Sequence, residues 1–256
     1  SDSLHTVKNP SPEIAVPKEI LAIPRPETAT DVAGASLPLP GHEEELLYTI
    51  DTELYRAQLS SKHGGSLVSF ETFNYMGQDS GFLNLINDIN RENLVIRYKN
   101  IDGQDVDLGA PWSPDGKHFS GAITAPTTFS FFIDVGNHKK IEKSLTFYPD
   151  SYIIDINTNL DGVADQVFAG AYTFGWYGGL TTTEKDVKDD KIYFYSYVFQ
   201  GGELVDLKVK SGESESMNLN GSTEWVAIRT KYFITALIPD RSGDVSSASI
   251  SGTDAG

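Results

Sequence analysis

The length, composition and charge of this chain of 256 residues predict a folded domain and exclude several classes of protein. A hydrophobic fraction of 39%, with 13 Phe, 12 Tyr and 3 Trp, supports a real core, and the absence of cysteine excludes disulfides and thiolate metal sites. A formal net charge of −16 argues against nucleic-acid partners and anionic lipid surfaces, because both require a clustered basic surface.

The first 44 residues differ in composition from the rest of the chain. They hold seven of the twelve prolines and no Phe, Trp or Tyr, and segments such as Pro24–Pro26 favour an extended, polyproline-like backbone. We therefore interpret residues 1–44 as a flexible tether and residues 45–256 as one β-sandwich domain. A proline-rich ligand for a partner domain is the alternative, which is disfavoured because no basic anchor flanks the prolines.

Strand signals dominate from residue 45 onward. Leu47–Leu59 alternates between apolar and polar residues, and Gly64 and Gly65 then permit a tight turn before a return strand at Ser66–Tyr75. The further predicted strands are Leu94–Asn100, Thr127–Val135, Ile141–Tyr148, Tyr152–Leu160, Phe168–Tyr177, Lys191–Phe199, Glu203–Val209 and Trp225–Ile238. So many strands in one unit predict an all-β fold, a β-sandwich of two packed and mostly antiparallel sheets.

Little helix is expected between these strands. The one helical prediction is Phe82–Asn93, although its asparagines are poor helix formers. A Pro-Asp-Gly turn is predicted within Trp112–Gly116, and the acidic stretches Glu184–Asp190 and Glu213–Glu215 are predicted to be solvated loops. Asn157–Asp165 places oxygen ligands at the spacing of a calcium loop but lacks the glutamate at the twelfth position, so a hairpin turn is favoured.

No constellation of catalytic residues is recognisable in the sequence. The five histidines form no close pair of the kind that zinc sites use; they are His5, His42, His63, His118 and His138. The Gly-x-Ser-x-Gly pattern of serine hydrolases and the glycine-rich phosphate loops are absent. We therefore predict that the chain is not an enzyme and uses no metal or cofactor.

The best candidate for a ligand or partner cleft is the segment from Tyr172 to Gly179. Tyr172, Trp176 and Tyr177 lie among glycines and would form a flat platform for a sugar or an extended peptide. The alternative interpretation is a core strand that ends in a Gly-Gly turn.

A second aromatic cluster follows in the next predicted strand. Tyr193, Tyr195 and Tyr197 alternate on one face of that strand, and Phe194 and Phe199 are expected on or near the other face. We interpret this cluster as cross-strand packing first and as a binding face second.

Several segments resemble a known family. Trp225–Pro239 (WVAIRTKYFITALIP) and Tyr48–Phe70 (YTIDTELYRAQLSSKHGGSLVSF) resemble parts of the large periplasmic (P1) domain of the YidC family of membrane protein insertases. Lys143–Ile156 resembles the central hairpin of that domain, and Met217–Gly221 also fits the pattern. The individual positions that carry the resemblance are Gly64, Gly65, Tyr152, Trp225, Tyr232, Phe233 and Pro239.

The resemblance implies a β-supersandwich, similar in shape to galactose mutarotase and to sugar-binding sandwiches. It would face the periplasm from a parent protein embedded in the bacterial inner membrane, with the proline-rich start as the tether that follows a first transmembrane helix. No apolar run here approaches the ~20 residues of a membrane span, so we expect the domain itself to be soluble. The family's domain continues through further strands after Pro239, whereas Ser242–Gly256 is a Ser/Gly/Asp tail, so we expect an incomplete C-terminal end.

The resemblance also implies a function without enzyme chemistry. It implies a protein-contact and chaperone module that assists insertion and folding of inner-membrane proteins, alone or with the Sec translocon. The implied partners are Sec translocon accessory subunits and nascent membrane proteins. Two alternatives remain open because one fold hosts many functions: a carbohydrate-binding sandwich with Trp176 and Tyr177 as its platform, and an aldose-epimerase-like enzyme.

Overall fold

The computed structural model describes residues 44–77, 81–86, 92–184 and 186–254, so almost the whole predicted tether lies outside it. Within these ranges the chain forms eighteen strands, a short α-helix (α1, Val187–Lys191) and two 3-10 helices, Asp161–Val163 and Ser242–Asp244. The strands are β1 Leu47–Asp51, β2 Tyr55–Ser60, β3 Ser66–Met76, β4 Phe82–Asn84, β5 Val95–Asn100, β6 Asp105–Asp107, β7 Ser113–Asp115, β8 Ser120–Ala122, β9 Thr127–Gly136, β10 Lys139–Phe147, β11 Ile154–Asn159, β12 Val167–Gly175, β13 Tyr195–Gln200, β14 Glu203–Leu207, β15 Ser214–Asn220, β16 Thr223–Arg229, β17 Ile234–Leu237 and β18 Ser247–Thr253.

The strands form five sheets within the described ranges. The first sheet has the order β4-β3-β2-β1-β8, the second β11-β10-β9-β7 and the third β12-β5-β6. The fourth sheet has the order β14-β13-β16-β17, and β15 pairs with β18 in the fifth. Every pairing is antiparallel except that of β1 with β8, which is parallel. The prediction of an all-β, mostly antiparallel and sandwich-like fold is confirmed.

Alternation of apolar and polar residues builds the first hydrophobic core. In β10, for example, Ile141, Leu145 and Phe147 are fully buried, while Glu142 between them is exposed, as a strand with one face on a core requires. Each fully buried side chain of this size stabilises the fold by about 1.5–3 kcal/mol. The largest apolar members of this core are Trp112, Tyr48, Tyr55, Phe131, Phe147, Ile50, Leu59, Ile96, Leu108, Ile133 and Ile141.

A second and smaller core lies beneath the fourth sheet. Val198 of β13 and Leu207 of β14 pack there against Ile250 of β18. The hydrophobic residues that surround this core are only partly buried; they are Met217, Leu219, Val226 and Ala248. The fifth sheet therefore covers the inner face of the fourth, and the outer face of the fourth sheet points away from this core.

Two of the predicted long strands are each divided in two. Leu47–Leu59 breaks at Thr52, whose Oγ1 accepts the backbone N–H groups of Leu54 (3.1 Å) and Tyr55 (2.9 Å) and so closes a turn between β1 and β2. Trp225–Ile238 breaks after Arg229, where a tight turn separates β16 from β17. A side-chain hydroxyl that accepts backbone N–H groups can replace the hydrogen bonds between strands and so interrupt a strand. The alternation of apolar residues does not reveal such an interruption.

The predicted helix at Phe82–Asn93 and the predicted turn at Trp112–Gly116 are wrong where the structure describes them. Phe82–Asn84, the start of the predicted helix Phe82–Asn93, is strand β4 and pairs with β3. Ser113–Asp115, in the predicted turn Trp112–Gly116, is strand β7 and pairs with β9. In both segments pairing with a neighbouring strand outweighs weak local propensity.

The chain after residue 180 also contains strands and a helix where loops or a tail were predicted. Glu213–Glu215 belongs largely to β15, and the Ser/Gly/Asp tail contains β18, which pairs with β15 along its full length. Lys191, the predicted start of a strand, ends helix α1 instead, and the paired strand begins at Tyr195. Small polar residues carry no strand signal, but alternate positions of β18 meet the second core.

Candidate protein-contact site

Of the three residues predicted to form an aromatic platform, Tyr172 lies at a polar depression. Its hydroxyl forms a hydrogen bond with Thr158 Oγ1 (2.9 Å), and its side chain is exposed. The depression has a volume of about 450 Å³, and its walls also include Asn157, Asn159 and Asp161. Neither of the other two predicted platform residues lines it.

Trp176 and Tyr177 make separate contacts. The Trp176 indole is half-buried against the first core, and its Nε1 donates to the carbonyl oxygen of Gly179 (2.9 Å). The guanidinium carbon of Arg97 lies 4.1 Å from the centroid of the Tyr177 ring, which is a cation–π contact. Tyr172, Trp176 and Tyr177 therefore each make a different contact.

The backbone of the two glycines in the β2–β3 turn lies against side chains of the first core. Gly64 has φ +69°, and a Cβ atom there would lie 2.5 Å from the Trp112 ring. Gly65 has φ +103°, and a Cβ atom there would lie 2.5 Å from Leu145 Cδ1. Both positions therefore require glycine for conformation and for space.

The remaining family-resembling positions are exposed or half-buried. Tyr152 is exposed and stacks on the buried Tyr55 ring, with 5.7 Å between ring centroids. Pro239 follows β17 and is half-buried. Trp225, Tyr232 and Phe233 lie together at a second concave site, described next.

Aromatic rings cover the outer face of the fourth sheet. Tyr195, Tyr197 and Phe199 share this face, because side chains two residues apart in a strand point the same way. The first two rings stack at 5.7 Å, and the Phe199 ring stacks at 5.6 Å on Trp225, its partner residue in β16. The prediction that Phe199 lies on or near the other face is wrong, because it has the same strand parity as the two tyrosines.

This aromatic face contains a groove of about 480 Å³, which we call the sheet groove. It is lined by Tyr197, Leu204, Trp225, Arg229, Lys231, Tyr232, Phe233 and Ile234. Leu204, Tyr232 and Ile234 are between 55% and 61% exposed, which is unusual for side chains of this size. Clustered exposed apolar groups with polar neighbours are typical of contact surfaces.

The sheet groove is basic although the chain as a whole is acidic. Its lining includes Arg229 and Lys231 and no carboxylate. Lys231 Nζ donates to Glu184 Oε1 (2.8 Å), and Tyr232 Oη donates to the same oxygen (2.7 Å). These two hydrogen bonds lower the pKa of Glu184, and the hydrogen bond that Lys231 donates to Glu184 raises the pKa of Lys231. Among the described residues, the Arg229 guanidinium has no ion pair or hydrogen-bond partner.

A buried carboxylate fixes the rim of the sheet groove. Asp190 of helix α1 is fully buried, and its oxygens accept the backbone N–H groups of Thr183, Glu184 (3.2 Å) and Lys231 (3.3 Å). The prediction of a solvated loop at Glu184–Asp190 is therefore wrong for its last residue. Asp190 ties helix α1 to the β16–β17 turn and so positions the Glu184–Lys231 pair.

The fold and the groove together define an all-β, sandwich-like domain with an exposed aromatic face. Residues 47–254 match the family model described as the YidC periplasmic domain. The chain therefore belongs to the family of YidC periplasmic domains. Within the described ranges, no helix is long and apolar enough to cross a membrane.

Relatives named as membrane protein insertases match most of this chain. The "Membrane protein insertase YidC" of Chlorobaculum parvum is 32% identical over 221 residues, which are 84% of this chain and 37% of that protein. The proteins of the same name from Chlorobaculum tepidum and Chlorobium luteolum are 28% and 32% identical, over 91% and 77% of this chain. This chain spans between 34% and 40% of the length of these three relatives.

Proposed function

We propose that this chain is the protein-contact domain of a YidC-type membrane protein insertase, facing the periplasm from the bacterial inner membrane. In this role it assists the insertion and folding of inner-membrane proteins and catalyses no reaction itself. The observation that carries the proposal is the match of residues 47–254 to the YidC periplasmic domain, together with relatives named as membrane protein insertases. That family is not a class of enzymes.

The surface of the domain is consistent with this role. The sheet groove exposes large apolar side chains on an otherwise acidic domain, and such patches are typical of protein contacts. We include two partner classes in the proposal: nascent membrane proteins, and accessory subunits of the Sec translocon. Contact with either would use strands and the tight β16–β17 turn, which Asp190 holds in place, so little conformational entropy would be lost on binding.

The proposal is tested in cells depleted of the native insertase. The full-length parent protein is compared with a variant in which residues 45–254 are replaced by an unrelated β-domain of similar size. We expect lower yields of correctly inserted inner-membrane proteins with the replacement, measured by protease protection. A photo-crosslinking amino acid at Leu204 should also capture membrane-protein substrates or Sec subunits.

The proposed location of the parent protein in the inner membrane is tested separately. The parent protein should resist alkaline carbonate extraction and migrate well above the 28.0 kDa of this chain. Release of the chain as a free species of that mass would contradict the proposal, as would equal insertion yields after replacement of the domain.

A further inference from the structure

We infer that the sheet groove binds an extended segment of another protein that carries an acidic side chain between apolar ones. The acid pairs with Arg229, and its apolar neighbours lie on the rings and aliphatic side chains of the wall. The inference rests on the proposed function and adds to it the location of the contact and the chemistry of the partner.

The wall of the groove supplies apolar contact area at low entropic cost. Trp225 is stacked on Phe199 and is thereby fixed in orientation before any partner binds. Leu204 of β14 and Ile234 of β17 flank it on the two outer strands of the sheet, and both are more than half exposed. Tryptophan, tyrosine and arginine side chains are the usual anchors of protein–protein contacts, and this groove contains all three.

Charge selects an acidic segment. Lys231 is already neutralised by Glu184, whereas Arg229 has no ionic partner among the described residues, so one unpaired cation faces the groove. Asp206 shares the outer face by its register with Tyr197, but it does not line the groove. A guanidinium next to apolar surface binds a carboxylate through two parallel hydrogen bonds, more strongly than neutral groups do.

The arrangement favours a peptide over a membrane surface. Docking on anionic lipid requires several unpaired cations on one face, since each contributes only about 1 kcal/mol. The groove presents a single unpaired cation, Arg229. Lys208, over the Tyr195 ring of the same face, donates its Nζ to the carbonyl oxygen of Ile192 (2.8 Å). The rim is also rigid, because Asp190 holds the backbone N–H of Lys231. A preorganised, singly charged and aromatic groove fits an extended chain with one acid.

The experiment measures binding of labelled peptides to the 256-residue chain by fluorescence anisotropy. The probe is an unstructured peptide of about ten residues with one Asp between Leu and Phe, flanked by Gly and Ser, and its counterpart has Asn in place of Asp. We expect saturable binding of the Asp peptide and roughly tenfold weaker binding of the Asn peptide. Arg229→Gln should bind both peptides with the weaker affinity, and Leu204→Ser should weaken both.

Arg97→Gln is the control, since Arg97 is an exposed arginine of the third sheet, over the Tyr177 ring and paired with Glu92 (2.9 Å). It should leave both affinities unchanged, and thermal unfolding should show that every variant folds. Equal affinity for the two peptides, no effect of Arg229→Gln, or an effect of Arg97→Gln instead would overturn the inference. So would binding of anionic vesicles that depends on Arg229. The cellular insertion assay does not involve these peptides, so failure of the inference and failure of the proposed function are distinguishable.

Discussion

Replacing Lys143 with methionine should remove much of the pH dependence of stability between pH 7 and 9. Lys143 occupies an inward-facing position of β10 and is 1% exposed. Its Nζ donates to the carbonyl oxygens of Leu94, Gly65 (2.8 Å) and His63 (3.1 Å). No salt bridge to Lys143 is present in the part of the chain that the structure describes. An ammonium group is therefore buried with backbone acceptors only.

The size of the effect follows from the two pKa values. Burial lowers the pKa of Lys143 to about 7, whereas a lysine in the unfolded chain has a pKa of about 10.4. Between these values the unfolded chain holds a proton that the folded chain has released, so the free energy of unfolding rises with pH. From pH 7 to pH 9 the rise is about 2 kcal/mol, and the slope fades to zero as the pH falls below 7 and the folded chain takes up the proton as well.

The assay is urea unfolding at pH 7, 8 and 9, with linear extrapolation to water. Tryptophan fluorescence reports the transition; of the three tryptophans, Trp112 is fully buried in the first core. Lys143→Met should lack the rise of about 2 kcal/mol. At pH 9, where the wild-type lysine is a neutral amine with two N–H donors, the variant should be less stable by at least about 2 kcal/mol, because the carbonyl oxygens that accept these donors are left unpaired.

The control for charge removal alone is Lys139→Met. Lys139 begins the same strand but is half exposed, with Asp165 at 3.6 Å, so its removal should leave the wild-type rise intact. The reasoning is refuted if Lys143→Met keeps the full rise between pH 7 and 9, since another group would then be its source.

Two further substitutions test the turn and the rim of the sheet groove. Gly64→Ala should lower the free energy of unfolding by about 2 kcal/mol or more, because it combines positive φ with overlap of the buried Trp112 ring. Gly103 has φ +79° but open space around it, so Gly103→Ala should lower the free energy of unfolding by only about 1 kcal/mol in the same urea assay. Equal losses for the two variants would contradict the packing argument. Asp190→Ala should cost about 3 kcal/mol, since three backbone amides lose their acceptor. A change below about 1 kcal/mol would show that water replaces the carboxylate.

Most of the strands could be predicted from the sequence because their signal is local. The prediction Thr127–Val135 differs from β9 by a single residue at one end, and Ile141–Tyr148 overlaps most of β10. An apolar residue at every second position has few alternatives to a strand with one buried face. The paired glycines at 64 and 65 likewise indicated the turn, because glycine adopts positive φ without the steric cost that other residues have there.

The missed elements depend on partners distant in sequence. β18 consists of small and polar residues, and it is a strand because β15, about 30 residues earlier, provides a complete ladder for it. β4 is a strand because it pairs with β3 along the edge of that strand. The parallel pairing of β1 with β8 joins residues about 70 positions apart, which no local pattern encodes.

The candidate site shows the same division. The sequence by itself determined an all-β domain of the YidC periplasmic family, and it identified Trp225, Tyr232 and Phe233 as family positions. Only the tertiary structure decided that these residues share a groove with an unpaired Arg229, and that Lys143 and Asp190 are buried. The physical reason is that strand periodicity is carried by neighbouring residues, whereas burial of a charge and convergence of a groove depend on which strands meet across the sheet.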